Sequence, residues 1–150
     1  MTTKVTPIIA LWKERTLPIR DGLYLATGVS YAARLAPQAQ TGVEILEPFD
    51  LRASLDADPE WVTEIEPTRQ LALEAEGRVL CCGDGGHGSE GFVACTYGDE
   101  ELEWVMYFER SNPFMDISWD ATRQRATFTS TSDVRITVNA LTPWWDTADS

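Results

Sequence analysis

Residues 101–109, ELEWVMYFE, alternate between large apolar side chains and a mixed set that includes three glutamates. Successive side chains of a β-strand point to opposite faces of the sheet, so this alternation predicts a strand with two unlike faces. One face would carry Leu102, Trp104, Met106 and Phe108, and the other would carry Glu101, Glu103, Val105, Tyr107 and Glu109. We therefore expect one face to be buried and the other to be partly exposed to water.

Similar alternation continues through the second half of the chain. No proline occurs in residues 69–112, and Glu76-Gly77 is a turn signal between the first two apolar runs. The predicted strands cover residues 70–75, 78–82, 91–97, 101–109, 114–119, 125–129 and 134–138. Short strands with local turns favour pairing between neighbours in sequence. We expect a mainly β or α+β fold, an antiparallel meander sheet or a sandwich, with at most one or two short helices.

The first half of the chain has weaker patterns. Residues 5–12 indicate either a strand or a short helix. Ser30 is a suitable N-cap for a short helix over residues 31–36. Further on, Asp58 followed by Pro59 is an acceptable helix start, and the apolar residues after it indicate a helical turn or another strand.

Length and composition limit the domain organisation. The chain has 150 residues, 43% apolar and 24% charged, which is typical of a folded globular protein. We expect a single domain over residues 1–150, with a frayed tail after Pro143. No apolar stretch reaches the roughly 18 to 20 residues that a membrane helix needs. Because the run at residues 7–12 is also too short for a signal peptide, we expect the protein to stay in the cytoplasm.

Negative charge is concentrated in the middle of the chain. Residues 44–109 contain 17 Asp and Glu against three Arg, a net charge of −14, while the rest of the chain carries +2 and the whole chain −12. Such a field repels nucleic acid and anionic membranes and accelerates encounter with a basic protein. We therefore expect a basic protein partner, and neither nucleic acid nor a membrane. The alternative is that the charge only keeps the protein soluble.

Two groups of residues are candidates for a partner-binding surface. Carboxylates beside an exposed tyrosine suit contact with the Arg and Lys of a partner, and one of two adjacent tryptophans near the C-terminus could anchor it. A charged strand edge that deters aggregation is the alternative for the carboxylates, and core packing with a tucked tail is the favoured alternative for the tryptophans. The candidate residues are Asp99, Glu100, Glu101, Glu103, Tyr107, Glu109 and Trp145.

Residues 83–91 bring together the only histidine, a serine, two carboxylates and five glycines. The candidate residues of this loop are Asp84, His87, Ser89 and Glu90. Glycines allow close approach of backbone to a ligand, so an anion nest or a small active loop is conceivable. The phosphate-loop and calcium-loop patterns are both unmatched, and a flexible hairpin tip is the simpler interpretation.

Cysteine spacing gives no metal site. The three cysteines Cys81, Cys82 and Cys95 lack the spaced pairs that structural zinc requires, so we expect neither a metal nor a cofactor. The simplest interpretation is free, small apolar side chains, with a disulfide to Cys95 across a hairpin as the alternative. On a strand, Cys81 and Cys82 would point to opposite faces, which would leave one buried and the other exposed.

Three segments resemble small immunity proteins that are encoded beside bacterial polymorphic or contact-delivered toxins. The segments are GSEGFVA (88–94), WVMYFE (104–109) and SNPF (111–114). This resemblance implies a cytoplasmic inhibitor that binds a toxin domain and occludes its active site. It assigns no individual binding residue.

These observations lead to three hypotheses about function. The first is a non-enzymatic acidic immunity or inhibitor protein that neutralises a basic partner such as a toxin domain. The second is an acidic nucleic-acid mimic that occupies a DNA-binding protein. The third is a small-ligand-binding or enzymatic domain built on the loop around His87, which predicts a concave apolar pocket beside His87 and a carboxylate with a perturbed pKa.

Overall fold

The computed structural model describes residues 5–98 and 101–143. This part of the chain contains two short helices, α1 (Pro7–Lys13) and α2 (Leu51–Ala57), and a turn of 3-10 helix at Glu74–Glu76. Its strands are β1 (Thr16–Pro18), β2 (Gly22–Leu25), β3 (Ser30–Leu35), β4 (Val43–Phe49), β5 (Val62–Leu73), β6 (Arg78–Gly85), β7 (Gly91–Tyr97), β8 (Glu101–Phe108), β9 (Phe114–Asp120), β10 (Arg125–Ser130) and β11 (Arg135–Asn139). The predicted mainly β fold with two short helices is confirmed.

The strands form two antiparallel sheets. The larger sheet has eight strands in the order β1-β5-β6-β7-β8-β2-β3-β4, and the smaller has the order β11-β10-β9. Strands β5 to β8 form one meander and β2 to β4 another. The two meanders meet where β2 pairs with β8, with Leu23 opposite Met106.

One core lies between the two sheets. The large sheet contributes Trp104, Met106 and Phe108, and the small sheet contributes Phe128 and Ile136, all fully buried. The indole Nε1 of Trp104 donates a hydrogen bond of 2.7 Å to the carbonyl of Ala140, so its one polar atom is satisfied. The sheets therefore pack face to face around this core.

A second core lies on the opposite face of the large sheet. Buried Tyr24, Phe92 and Val105 pack there against Ile8 of α1 and Leu51 of α2. Helix α1 begins with a proline, which suits its first turn. At the start of α2, the Asp50 carboxylate accepts a 3.1 Å hydrogen bond from the backbone N–H of Ala53. The central strands are consequently buried on both faces.

Two local predictions in the first half of the chain were wrong. Ser30 begins strand β3 and does not cap a helix over residues 31–36, because β3 pairs with both β2 and β4 and buries Ala32 and Ala33. Asp58 lies at the C-terminal end of α2 and not at a helix start, and the chain then continues as β5. Residues 5–12 contain a helix, one of the two alternatives.

A β-bulge overturns the face assignment in β8. Cys95 pairs with Trp104 but its neighbour Thr96 pairs with Leu102, so Glu103 is an extra residue in the ladder. The bulge places Leu102 in the helix-side core with Val105, whereas Trp104 stays between the sheets. The predicted grouping of Leu102 with Trp104 was therefore wrong, because one inserted residue reverses every side chain before it.

The three cysteines are free thiols. Cys81 and Cys82 do point to opposite faces, since Cys82 belongs to the core between the sheets and Cys81 to the helix-side core. Both are buried, so the expected exposure of one was wrong, because each thiol packs into a core cluster.

Candidate binding cleft

A cleft of about 840 Å³ opens on the helix side of the large sheet. Its floor comes from strands β5 to β8, and its walls come from α1, the α1–β1 connection and the turn after β2. The lining residues are Val5, Ile9, Trp12, Lys13, Arg15, Ala26, Thr27, Ile65, Pro67, Gln70, Val79, Cys81, Thr96, Tyr97, Glu101 and Leu102.

The cleft exists because α1 is too short to cover the sheet. Seven helical residues span about 10 Å at 1.5 Å per residue. The eight residues of β6 span about 26 Å at 3.3 Å per residue. The helix therefore covers one end of the strands, around Phe92 and Trp12, whose rings meet edge to face with centroids 6.0 Å apart. The floor around Val79 and Leu102 stays accessible from the cleft.

The rim of the cleft carries charged side chains and one residue with a strained backbone conformation. Arg15 has φ 58°, the left-handed conformation that glycine usually adopts after a helix. Its carbonyl accepts a 2.9 Å hydrogen bond from the backbone N–H of Ile65, which ties the rim to the floor strand β5. Lys13, Tyr97 and Glu101 are further exposed rim residues.

The cleft offers a binding surface with little chemical reactivity. Cys81 is the thiol on its floor, and burial, followed by the charge of Cys82, raises the Cys81 pKa to about 12. A thiol with that pKa stays protonated near neutral pH, and the thiolate is the reactive form. This arrangement suits holding a ligand more than attacking one.

The loop at residues 83–91 is organised around a buried carboxylate. Glu90 is only 3% exposed. Its Oε1 accepts hydrogen bonds of 3.1 Å from the Thr63 hydroxyl and the His87 backbone N–H, and lies 3.3 Å from His87 Nδ1. Its Oε2 accepts a hydrogen bond from the Tyr107 hydroxyl. Glu90 therefore fastens the loop to both β5 and β8.

These donors control the pKa of Glu90. Burial alone would raise it, but hydrogen bonds from Tyr107, His87 and Thr63 together hold the pKa below its ordinary value. The pKa of Tyr107 is raised, first by burial and then by its bond to Glu90. A carboxylate with a perturbed pKa is therefore present in this loop, but no residue of 83–91 lines the cleft, and the apolar pocket expected beside His87 stays a prediction.

The other loop candidates have separate partners. The Ser89 hydroxyl donates a 3.0 Å hydrogen bond to the backbone carbonyl of Glu109. Asp84 lies directly opposite Glu66 in the β5–β6 ladder. Partial burial, followed by the charge of Glu66, raises the pKa of Asp84. The exposed residues Glu64 and Glu66 share that face of β5, so three carboxylates meet at this end of the sheet.

The predicted partner surface does not form one patch in the described residues. Tyr107 is fully buried, so its expected exposure was wrong, because the helix-side core covers that face of β8. Glu103 is engaged by Arg78, with Nε and Oε1 2.7 Å apart. Glu101 and Glu109 are exposed, but Glu101 begins β8 and Glu109 follows its last residue, about 27 Å away at 3.4 Å per residue. The predicted Asp99, Glu100 and Trp145 lie outside the described residues.

Sequence reasoning missed the cleft residues, above all Lys13, Arg15 and Gln70. One sequence signal does group some of the cleft residues. If residues 8–13 are assumed to be helical, Ile9, Trp12 and Lys13 fall on one side of the helix. Nothing in the local sequence distinguishes Arg15 from any other exposed arginine.

Residues 5–98 and 101–143 contain neither a candidate metal site nor a candidate membrane-spanning helix. No group of three or more His, Cys, Asp or Glu side chains in these ranges is placed to hold a metal ion. No helix within them is both long and apolar enough to cross a membrane.

The sequence matches no protein-family model and no curated protein, and the structure matches no solved structure. The resemblance of residues 88–94, 104–109 and 111–114 to immunity proteins stays a prediction.

Proposed function

We propose that this protein is a non-enzymatic binding protein that holds an elongated apolar ligand in the cleft between α1 and the large sheet. The observation that carries the proposal is the size and lining of the cleft. Its volume of about 840 Å³ falls within the range of about 300 to 1,000 Å³ that small-molecule sites occupy. Apolar Ile65, Val79 and Leu102 provide the floor, as such sites require.

The chemistry of the cleft supports binding without catalysis. General acid–base catalysis and nucleophilic attack need a titratable group matched to the task and within reach of the ligand. The thiol of Cys81 has a raised pKa, His87 belongs to the separate Glu90 loop, and the remaining titratable side chains of the lining, Lys13, Arg15, Tyr97 and Glu101, are exposed at the rim. The ligand would therefore be carried or sensed and left chemically unchanged.

A neutral probe and one blocking variant test this proposal. The neutral, environment-sensitive dye 1-N-phenylnaphthylamine should bind the wild-type protein and increase its emission. Gln70 lines the cleft and is exposed, so Gln70→Trp should fill the cleft and weaken dye binding at least tenfold. Ser118→Trp, at an exposed position of β9 outside the cleft, is the matched control and should bind the dye normally. Equal binding by Gln70→Trp and wild type would rule out the cleft as the site.

A second candidate is the acidic inhibitor of a basic protein such as a toxin domain. The convergence of Glu64, Glu66 and Asp84 favours it, because a cationic partner would relieve the repulsion that raises the pKa of Asp84. The test compares two triple variants. The first carries Glu64→Gln, Glu66→Gln and Asp84→Asn together, and the second is a control with the same change in net charge.

The control variant is Glu14→Gln, Glu47→Gln, Asp56→Asn, which removes three exposed carboxylates from other elements. Tagged proteins are used to capture partners at low and high salt, since exposed charges are screened by salt. A basic partner that wild type and control retain but the first variant loses would support an inhibitor. A captured DNA-binding protein would favour the nucleic-acid mimic instead, and no partner at either salt would contradict both.

A further inference from the structure

We propose that the cleft ligand carries a single anionic head group on its apolar body, as a long-chain monocarboxylate does, and that Arg15 and Lys13 bind this head group. The inference rests on the proposed function, because it names the chemistry of the ligand in that same cleft. Ile9, Trp12 and Lys13 all line the cleft and are three and four residues apart on α1. They therefore lie on one side of the helix, where the apolar side chains of Ile9 and Trp12 are followed by the cation of Lys13.

The backbone of Arg15 gives an independent reason to assign it a role. α1 ends with backbone N–H groups of Glu14 and Arg15 bonded to the carbonyls of Leu11 and Trp12, each at 3.0 Å. Arg15 then adopts φ 58°, a position where glycine avoids the strain that a side chain creates. A non-glycine residue in this conformation costs backbone strain, and such residues cluster at ligand sites, although Asn112, Gln124 and Asp133 adopt it outside the cleft.

Within the described part of the chain, no side chain engages either rim cation. Neither Lys13 nor Arg15 has a side-chain hydrogen bond or ion pair with another residue of 5–98 or 101–143. Some arginines differ in this respect: the Arg20 guanidinium lies 3.8 Å from the centre of the Phe49 ring, and Arg78 is bound by Glu103. Guanidinium and ammonium groups together suit a carboxylate, which accepts several hydrogen bonds at once.

The surrounding charge limits the ligand to one negative group. The protein carries a net charge of −12, so its field opposes any anion except where local cations compensate. Glu101 lies on the same rim and would repel a second negative charge on the ligand. A monoanion with a long apolar body satisfies both the cations and the floor, whereas a dianion would not.

Competition against the neutral dye tests the head group directly. Dodecanoate, dodecanol and dodecyltrimethylammonium have the same chain and differ in the charge of the head. Each is titrated below its critical micelle concentration into protein loaded with 1-N-phenylnaphthylamine. Wild type should release the dye at least tenfold more readily with dodecanoate than with either of the other two.

Arg15→Gly removes the guanidinium at a position where glycine relieves backbone strain, so loss of folding should not confuse the result. Arg123→Gln is the control, since it removes a cation from the exposed β9–β10 turn, outside the cleft. Arg15→Gly should weaken dodecanoate binding at least tenfold more than it weakens dye binding, and should melt no lower than wild type. Arg123→Gln should leave both affinities unchanged.

Three outcomes would overturn the inference, and they distinguish failure of the proposed function from failure of the head-group assignment. If the dye does not bind wild type, the proposed function fails and the inference falls with it. If the dye binds but dodecanol competes as well as dodecanoate, only the head-group inference fails. The same holds if Arg15→Gly binds dodecanoate as wild type does.

Discussion

Replacing Glu90 by alanine should destabilise the protein strongly although the site lies in a glycine-rich loop. The substitution leaves the buried Tyr107 hydroxyl without its acceptor and leaves the Thr63 hydroxyl only the backbone carbonyl of Glu64, at 3.4 Å. An unsatisfied buried donor costs about 1 to 3 kcal/mol. The His87 N–H lies in the exposed part of the loop and can bond to water, so it adds less. We expect a total loss of about 3 to 5 kcal/mol, which lowers Tm by about 10 °C in a chain of this size.

Urea denaturation followed by circular dichroism measures this loss, with thermal melting as a second readout. Glu109→Ala removes an exposed carboxylate near the same end of β8 and should change stability by less than about 0.5 kcal/mol. Tyr107→Phe should cost less in the Glu90→Ala background than in wild type, because the two side chains share one hydrogen bond. A Glu90→Ala variant within about 1 kcal/mol of wild type would refute the account of Glu90 as the group that fastens the loop.

The pKa of Glu90 is lower in the folded than in the unfolded state, so the stability that ionised Glu90 contributes is present above about pH 4.5. This contribution is lost as the pH falls through the folded-state pKa. In denaturation at several pH values, the difference in unfolding free energy between wild type and Glu90→Gln should therefore narrow below about pH 4.5. Glu66→Gln should raise stability at pH 7 by a few tenths of a kcal/mol, less at high salt, because it removes the like charge opposite Asp84. Arg15→Gly should raise stability by about 0.5 to 1 kcal/mol in urea denaturation, since it relieves a left-handed φ. Cys81 should stay unreactive to a disulfide reagent at pH 8 until urea unfolds the protein.

Alternation located the strands of the second half, but it could not locate the bulge. Residues 114–119, 125–129 and 134–138 fall within the observed β9, β10 and β11, apart from the strand start at Val134. Within β8 the alternation looks regular, yet Glu103 is an extra residue and bonds to Arg78 of β6. A bulge depends on the partner strand, so the sequence of one strand does not reveal it.

Exposure was harder to predict than strand position. Glutamates before and after Tyr107 indicated a solvent-exposed face, but α1 and α2 pack on that face through Ile8 and Leu51 and bury the tyrosine. The Tyr107 hydroxyl donates a hydrogen bond to Glu90, which lies in the connection between β6 and β7. Ser30 failed similarly: its N-cap chemistry favoured a helix, and pairing of β3 with two neighbours outweighed that local preference.

The cleft could not be predicted because it depends on a mismatch of lengths between distant elements. A short helix near the start of the chain covers only part of strands β5 to β8, and the uncovered part becomes the floor. The left-handed φ of Arg15 is likewise a property of the folded connection between α1 and β1. Patterns along the sequence, such as the charge at residues 44–109, carry no information about either feature.

Titration of the ¹⁵N-labelled protein with dodecanoate, followed by amide chemical shifts, tests the central claim most directly. Binding in the cleft predicts saturable shift changes concentrated in α1, at Arg15, at Ala26 and Thr27, and along β5 to β8 near Val79 and Thr96. The three-stranded sheet β9 to β11 and the loop around His87 should be unaffected. Changes centred on residues 83–91, or no changes up to the micelle concentration, would contradict the account.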